Sequence, residues 1–200
     1  MPEKKIEDRG WKIRNQYATY FVTFTVVAWV DIFTRYACRK ILLDSLLFCI
    51  KKKGLTLFAY VIMSNHIHLV VAAKEDSKGL SAIIRDFKSF SSKSILAWIQ
   101  TSGKERRKEW MLMIFRYHAK YNKRNTTFQF WIQNNHPVEL SYPSIVMQKI
   151  AYIHNNPVSA SIVDHPADYV YSSARNYYGR HDFIFPVTVI DYGVQEGVVY

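Results

Sequence analysis

His66 and His68 are separated by a single residue inside the apolar run that spans residues 58–71. Strand side chains alternate between faces with period two, so both imidazoles project from one side and Ile67 from the other. Two converging imidazoles suit two ligands of a divalent metal ion. A His-x-His pair gains catalytic meaning only if a nucleophile and a further ligand come from elsewhere in the chain.

The segment Tyr152-Ile153-His154-Asn155-Asn156-Pro157 offers both. Pro157 disfavours continuing a helix, so the spacing predicts a helix over 144–156 with Ile145, Gln148, Tyr152 and Asn156 near one stripe. Tyr152 and Asn156 then stand one turn apart, and a helix laid across the histidine face delivers a phenol and a carboxamide to one point. A boundary aromatic and a helix cap produce the same two letters, and position alone does not separate the readings. His154, two residues from Tyr152, falls about 200° around the helix and reads as an outer or surface residue rather than a ligand.

Together these segments resemble the single-tyrosine transposases of the HUH endonuclease superfamily, in particular the REP-associated tyrosine transposases. The resemblance rests on His66-Ile67-His68, on Tyr152 to Val158, and on Asp168-Tyr169-Val170-Tyr171-Ser172-Ser173-Ala174, and it covers residues 15–180. It implies an α+β fold, a ferredoxin-like βαββαβ sheet followed by a catalytic tyrosine helix. It also implies a mechanism in which Tyr152 attacks single-stranded DNA near a hairpin, leaving a 5′-phosphotyrosine and a free 3′-OH. A second 3′-OH can then rejoin strands without ATP. By the same resemblance His66, His68 and Asn156 hold Mg²⁺ or Mn²⁺, although two imidazoles favour zinc in affinity terms. The resemblance allows a site completed within one chain or by exchange of the tyrosine helix in a homodimer.

Two other classes compete: a ferredoxin-like nucleic-acid-binding module without chemistry, and a HUH replication initiator or relaxase. Intact His66, His68, Tyr152 and Asn156 disfavour the first, and a length of 200 residues disfavours the second. Tyr169 and Tyr171 are alternative nucleophiles in type, but the family's tyrosine position is Tyr152. Asn65 reads chiefly as a turn residue that could also orient a histidine, and His136 as a loop residue that could meet DNA.

A formal charge of +11 points to a polyanionic partner. From Lys104 to Arg124, eight cations (Lys104, Arg106, Arg107, Lys108, Arg116, Lys120, Lys123, Arg124) face only Glu105 and Glu109. Interleaved Trp110, Phe115, Tyr117 and Tyr121 offer faces for unpaired bases. A solvated basic loop would have the same composition. Cys38 and Cys49, about 16 Å apart along one helix, cannot pair. Lys and Arg residues punctuate the longest apolar stretch, so no membrane span is expected and a cytoplasmic, nucleoid-associated protein is.

The elements that must hold these groups follow from pattern. Residues 20–27 read as a strand, and residues 34–53 as a helix with Thr34 as N-cap and Gly54 as stop. Residues 55–63 and 66–73 form a hairpin through Ser64-Asn65, residues 79–100 a long amphipathic helix, and residues 127–132 a fourth strand. A single domain spans 1–200, with a basic insertion at 101–126 read as helix extension plus loop. Its tail, at 182–200, packs as an extra strand or binds a partner.

Overall fold

The computed structural model describes residues 12–121, 127–133 and 135–191. Strand β1 (Tyr20–Thr25) leads through two short 3-10 turns into helix α1 (Tyr36–Lys53), followed by the hairpin β2 (Leu55–Ile62) and β3 (His66–Ala73). Helix α2 (Leu80–Thr101), helix α3 (Lys108–Lys120) and strand β4 (Val138–Glu139) come next, then helix α4 (Pro143–Ser159) and the short α5 (Ala174–Tyr177). The sheet order is β2-β3-β1-β4 and every pairing is antiparallel. This is the split βαβ arrangement expected of a ferredoxin-like α+β fold, with α3 inserted before the last strand.

Period two sends each strand to two different cores. Tyr20, Val22 and Phe24 of β1 and Ile67, Leu69 and Val71 of β3 enter a large cluster with α1 and α2. Phe21 and Val70, on the opposite face, join a smaller cluster with Val146, Ile150 and Ile153 of α4. In β2 a bulge between Leu57 and Ala59 resets the phase. Leu55 and Leu57 therefore share the large core with Tyr60 and Ile62, while Ala59 and Val61 serve the small one. Gly54 closes α1 in the left-handed conformation at φ 76°, and a Cβ there would lie 2.8 Å from Ser77 Cβ.

Several boundaries differ from the expected ones. Arg35, not Thr34, is the N-cap of α1, because Thr34 is consumed by a preceding 3-10 turn and bonds the Asp31 carbonyl. The expected strand at 127–132 is reduced to a bridge between Trp131 and Val26, and the named fourth strand is Val138–Glu139. Both pieces run along β1, one at each end, and the chain leaves the sheet edge between them. The basic insertion is not mainly loop: α3 is amphipathic and buries Met111, Leu112, Phe115 and Ala119. Helix α4 runs past Pro157 to Ser159, since a proline in the last turn sacrifices one internal bond while Ala160 N–H still reaches Asn156 O. Beyond α5, Phe185 is buried in the large core and Thr188 N–H donates to Leu57 O, so the described part of the tail lies along β2. Residues 192–200 lie outside the described residues.

Candidate active site

Strand register builds the first half of the site. Thr23 of β1 stands opposite His68, and Thr25 opposite His66. Thr23 Oγ1 lies 2.7 Å from His68 Nδ1. His66 Nδ1 is 2.6 Å from Asn65 Oδ1, while Asn65 Nδ2 donates to the Trp29 carbonyl at 3.3 Å. That second bond fixes which way the Asn65 amide points. Its oxygen can only accept, so His66 carries its proton on Nδ1 and turns the bare Nε2 outward. Asn65 is thus both the hairpin's turn residue and the group that orients His66.

The two imidazole centroids are 4.8 Å apart. Burial holds the His66 pKa below its ordinary value. It drives that of His68 down to about 3, with the neighbouring His66 and Lys149 adding to the effect. Both rings are therefore neutral at physiological pH, the form in which imidazole binds a metal. With each Nδ1 engaged by an oxygen, the pair is arranged as metal-ligating histidines usually are. Among the described residues no three His, Cys, Asp or Glu side chains gather into a metal cluster. Two neutral imidazoles with oxygen donors beside them suit a weakly held divalent cation, and the Asn156 amide is a candidate third ligand.

Helix α4 supplies the second half. Val146, Ile150, Ile153 and Pro157 recur at helical spacing and are buried on the side facing the sheet. The adjacent stripe carries Lys149, Tyr152 and Asn156, and Tyr152 and Lys149 reach the margin of the histidine face. The Tyr152 ring lies 5.4 Å from that of His68 and 5.9 Å from Phe21, which itself stacks on His68 at 5.3 Å. Tyr152 keeps 48% of its surface exposed and is open to a large substrate. Asn156 is half-buried, one turn further along and three residues before the helix end, which removes its reading as a terminal cap.

Lys149 is a further member of the site, not evident from sequence pattern. Its ammonium stands 5.2 Å from the Phe21 centroid and 5.6 Å from that of Tyr152. The signal for it is its place three residues before the tyrosine, on the same stripe. Other candidates sit apart from the site. His154 is buried, its Nε2 2.8 Å from Ser173 Oγ, and its pKa is pushed down to about 3 by burial. It is a core residue rather than a surface one. Tyr169 is buried with its hydroxyl donating to Ile62 O, and Tyr171 faces the Arg39 guanidinium. These bonds, with Ser173 N–H to Tyr60 O, tie the segment after α4 to the edge of β2 and hold the tyrosine helix in place.

The basic segment reaches the same end of the sheet through α3, which packs against the turn at Val27–Trp29. Buried Glu105 anchors it, bonded to Arg35 at 2.7 Å and to Arg107 at 3.3 Å. The Arg35 hydrogen bond, helped by Arg107, holds the Glu105 carboxyl down to about 2. Arg107 also pairs with Asp31 at 2.6 Å, and Lys108 donates to the Gln100 carbonyl. Arg106, Arg116 and Lys120 are exposed, while Lys123 and Arg124 lie outside the described residues.

A family model for IS200-like transposases matches residues 16–134. The chain belongs to the IS200-like transposase family. It is accordingly a transposase, of a class of enzymes that cleave and rejoin DNA. The matched stretch includes His66 and His68 but ends before α4, so the reading of Tyr152 rests on its geometry and that of Asn156 on its place one turn further along the helix. The fold is that of a solved REP-associated tyrosine transposase bound to a REP hairpin. That protein shares 15% identity at a TM-score of 0.58, over 94% of this chain and 99% of the other. A candidate transposase from Deinococcus radiodurans R1 is also similar, at 15% identity and a TM-score of 0.37, over 74% of this chain and 94% of that one. No curated protein matches the chain. No helix among the described residues is long and apolar enough to cross a membrane.

Proposed function

We propose that this transposase is a single-stranded-DNA endonuclease and strand transferase that acts beside a DNA hairpin through Tyr152. The observation that carries the reading is an exposed phenol held over His68 by a helix of the same chain. Tyr152 Oη attacks the scissile phosphorus, its proton passes to solvent or to a bound water, and the 3′-oxygen of the upstream fragment leaves. The 5′-phosphate then remains on the tyrosine, and the ester energy is kept for rejoining. Lys149 stands where it can offset negative charge on the incoming phosphate.

His66 Nε2, His68 Nε2 and the Asn156 amide oxygen are the groups that would hold Mg²⁺ or Mn²⁺. Such an ion supplies Lewis-acid polarisation of the phosphate. The protein's own part is to keep both imidazoles neutral and fixed by their Nδ1 bonds, and to bring the phenol to the same margin. The exposed cations of α3 would track the flanking phosphates.

Incubation with labelled single-stranded hairpin DNA and Mg²⁺ or Mn²⁺ tests the reading. A denaturant-stable protein–DNA adduct is expected in the wild type and is lost in Tyr152→Phe. Persistence of the adduct in that variant would remove Tyr152 from the role of nucleophile.

A further inference from the structure

We infer that Trp29 is a stacking platform for a nucleobase beside the scissile phosphate, a positioning residue for the reaction proposed above, on which this inference rests. Trp29 is 63% exposed, a large aromatic that adds little to either core. Its ring and the His66 imidazole meet edge to face, with centroids 6.1 Å apart. Indole therefore borders the face that would receive the DNA strand.

The exposure is built into the backbone. Ala28 and Trp29 both adopt left-handed conformations, at φ 51° and 56°, which side-chain-bearing residues rarely do. The flanking Val27 and Val30 are buried, and hydrogen bonds from Val27 N–H to Phe130 O and from Val26 N–H to Asn65 O pin the turn. A turn buried at Val27 and Val30 and reversed between them throws the indole outward. Such strain persists where surrounding structure over-determines it, and it clusters at functional sites.

The turn is also registered to the chemistry. The Asn65 side chain bonds the Trp29 carbonyl through Nδ2 and His66 Nδ1 through Oδ1, so one carboxamide sets the platform and the imidazole relative to each other. On the other side α3 leans on the same turn, and Arg107 bonds Asp31 two residues beyond Trp29. A π-face next to a phosphate-seeking basic helix is the combination by which proteins hold unpaired nucleic acid, the bases stacked and the backbone tracked.

The whole 200-residue chain, titrated with labelled oligothymidine and with a mixed-sequence single strand, tests this. Trp29→Ala should weaken both about tenfold, the effect of removing one stacked base, without changing the salt dependence, since the indole neutralises no phosphate. Trp29→Phe should bind within about threefold of wild type, and Trp29→Leu, which keeps apolar bulk without a π-face, should resemble Trp29→Ala. The Phe and Leu variants decide the matter if the Ala variant folds poorly. A 5-bromodeoxyuridine placed next to the cleavage position should crosslink to Trp29. Wild-type affinity in Trp29→Leu, or crosslinks confined to other residues, would overturn the inference. The two proposals fail separately: an adduct surviving in Tyr152→Phe sinks the nucleophile whatever Trp29 does. An adduct lost there, with wild-type binding by Trp29→Leu, sinks only the platform.

Discussion

The two faces of the sheet are made from the same strands and do opposite work. Toward α1 and α2, β1 and β3 present Tyr20, Val22, Phe24, Ile67, Leu69 and Val71, all buried in a continuous apolar core. Toward α4 they present Phe21 and Val70 and then, in place of further apolar groups, Thr23 and His68 side by side with His66 beyond. One face is filled; the other is left polar at the end where the tyrosine helix arrives. A strand clamped on its filled face can hold polar groups rigidly on the other, which is what ligand positioning needs.

Substitution at adjacent positions of β3 should separate the two roles most sharply. His68→Leu should lower adduct formation about 10²–10³-fold, the usual scale for deleting a preorganised electrostatic group. Its unfolding midpoint in urea should move little, because the side-chain hydrogen bond between His68 and Thr23 is worth about 1 kcal/mol. Ile67→Ala should do the reverse. Emptying a fully buried site in the large core costs about 2–5 kcal/mol in urea unfolding, with adduct yield per folded molecule nearly kept. Equal reduction of activity in both variants would show that the faces are not separable.

The division of residues between the two faces is largely legible in the sequence, for a reason that also explains what is not. Period-two alternation over residues 66–73 gives the strand and the shared face of His66 and His68 directly, and β3 has the expected limits. The common helix of Tyr152 and Asn156, and their place one turn apart on it, follow from helical spacing in the same way. The phase of β2 is not readable, because the bulge at Leu57/Ala59 swaps faces within a run that is apolar on both sides. The fourth strand is misplaced by pattern because an edge strand of two residues carries almost none, whereas Phe128, Phe130 and Trp131 look strand-like for core-packing reasons. Lys149 and Trp29 escape a sequence reading since each gains its meaning from a neighbour distant in sequence, Phe21 in one case and His66 in the other.

The small core should also show itself in acid. His154 and His68 are both held near a pKa of about 3 by burial, against an ordinary 6.5. Between those values the unfolded chain binds protons that the native one refuses, so stability rises with pH through that window and falls as pH drops from about 6.5 toward 3. His154→Leu should make that slope shallower, by at most about 1.4 kcal/mol per pH unit. Denaturant melts at about pH 6.5, 5.5 and 4.5 read the slope across this window. An identical slope in the variant would mean that the imidazole is solvated in solution.

The smallest effect concerns whether the proposed DNA-binding surface at the polar end of the sheet extends over α3. Arg106, Arg116 and Lys120 are exposed on or beside α3, whereas Arg107 is committed to Asp31 and Glu105 and would report on folding instead. Replacing the first three with Ala should flatten the log–log dependence of single-strand affinity on salt by up to about 2, at roughly 0.7 for each phosphate no longer neutralised. The weakening should be alike for all sequences, because cations that meet phosphates position a strand without reading it. This is the complement of Trp29→Ala, which should lower affinity with the slope intact. An unchanged slope in the triple variant would confine DNA binding to the histidine margin and to Lys149, and would make α3 a structural brace for the Trp29 turn.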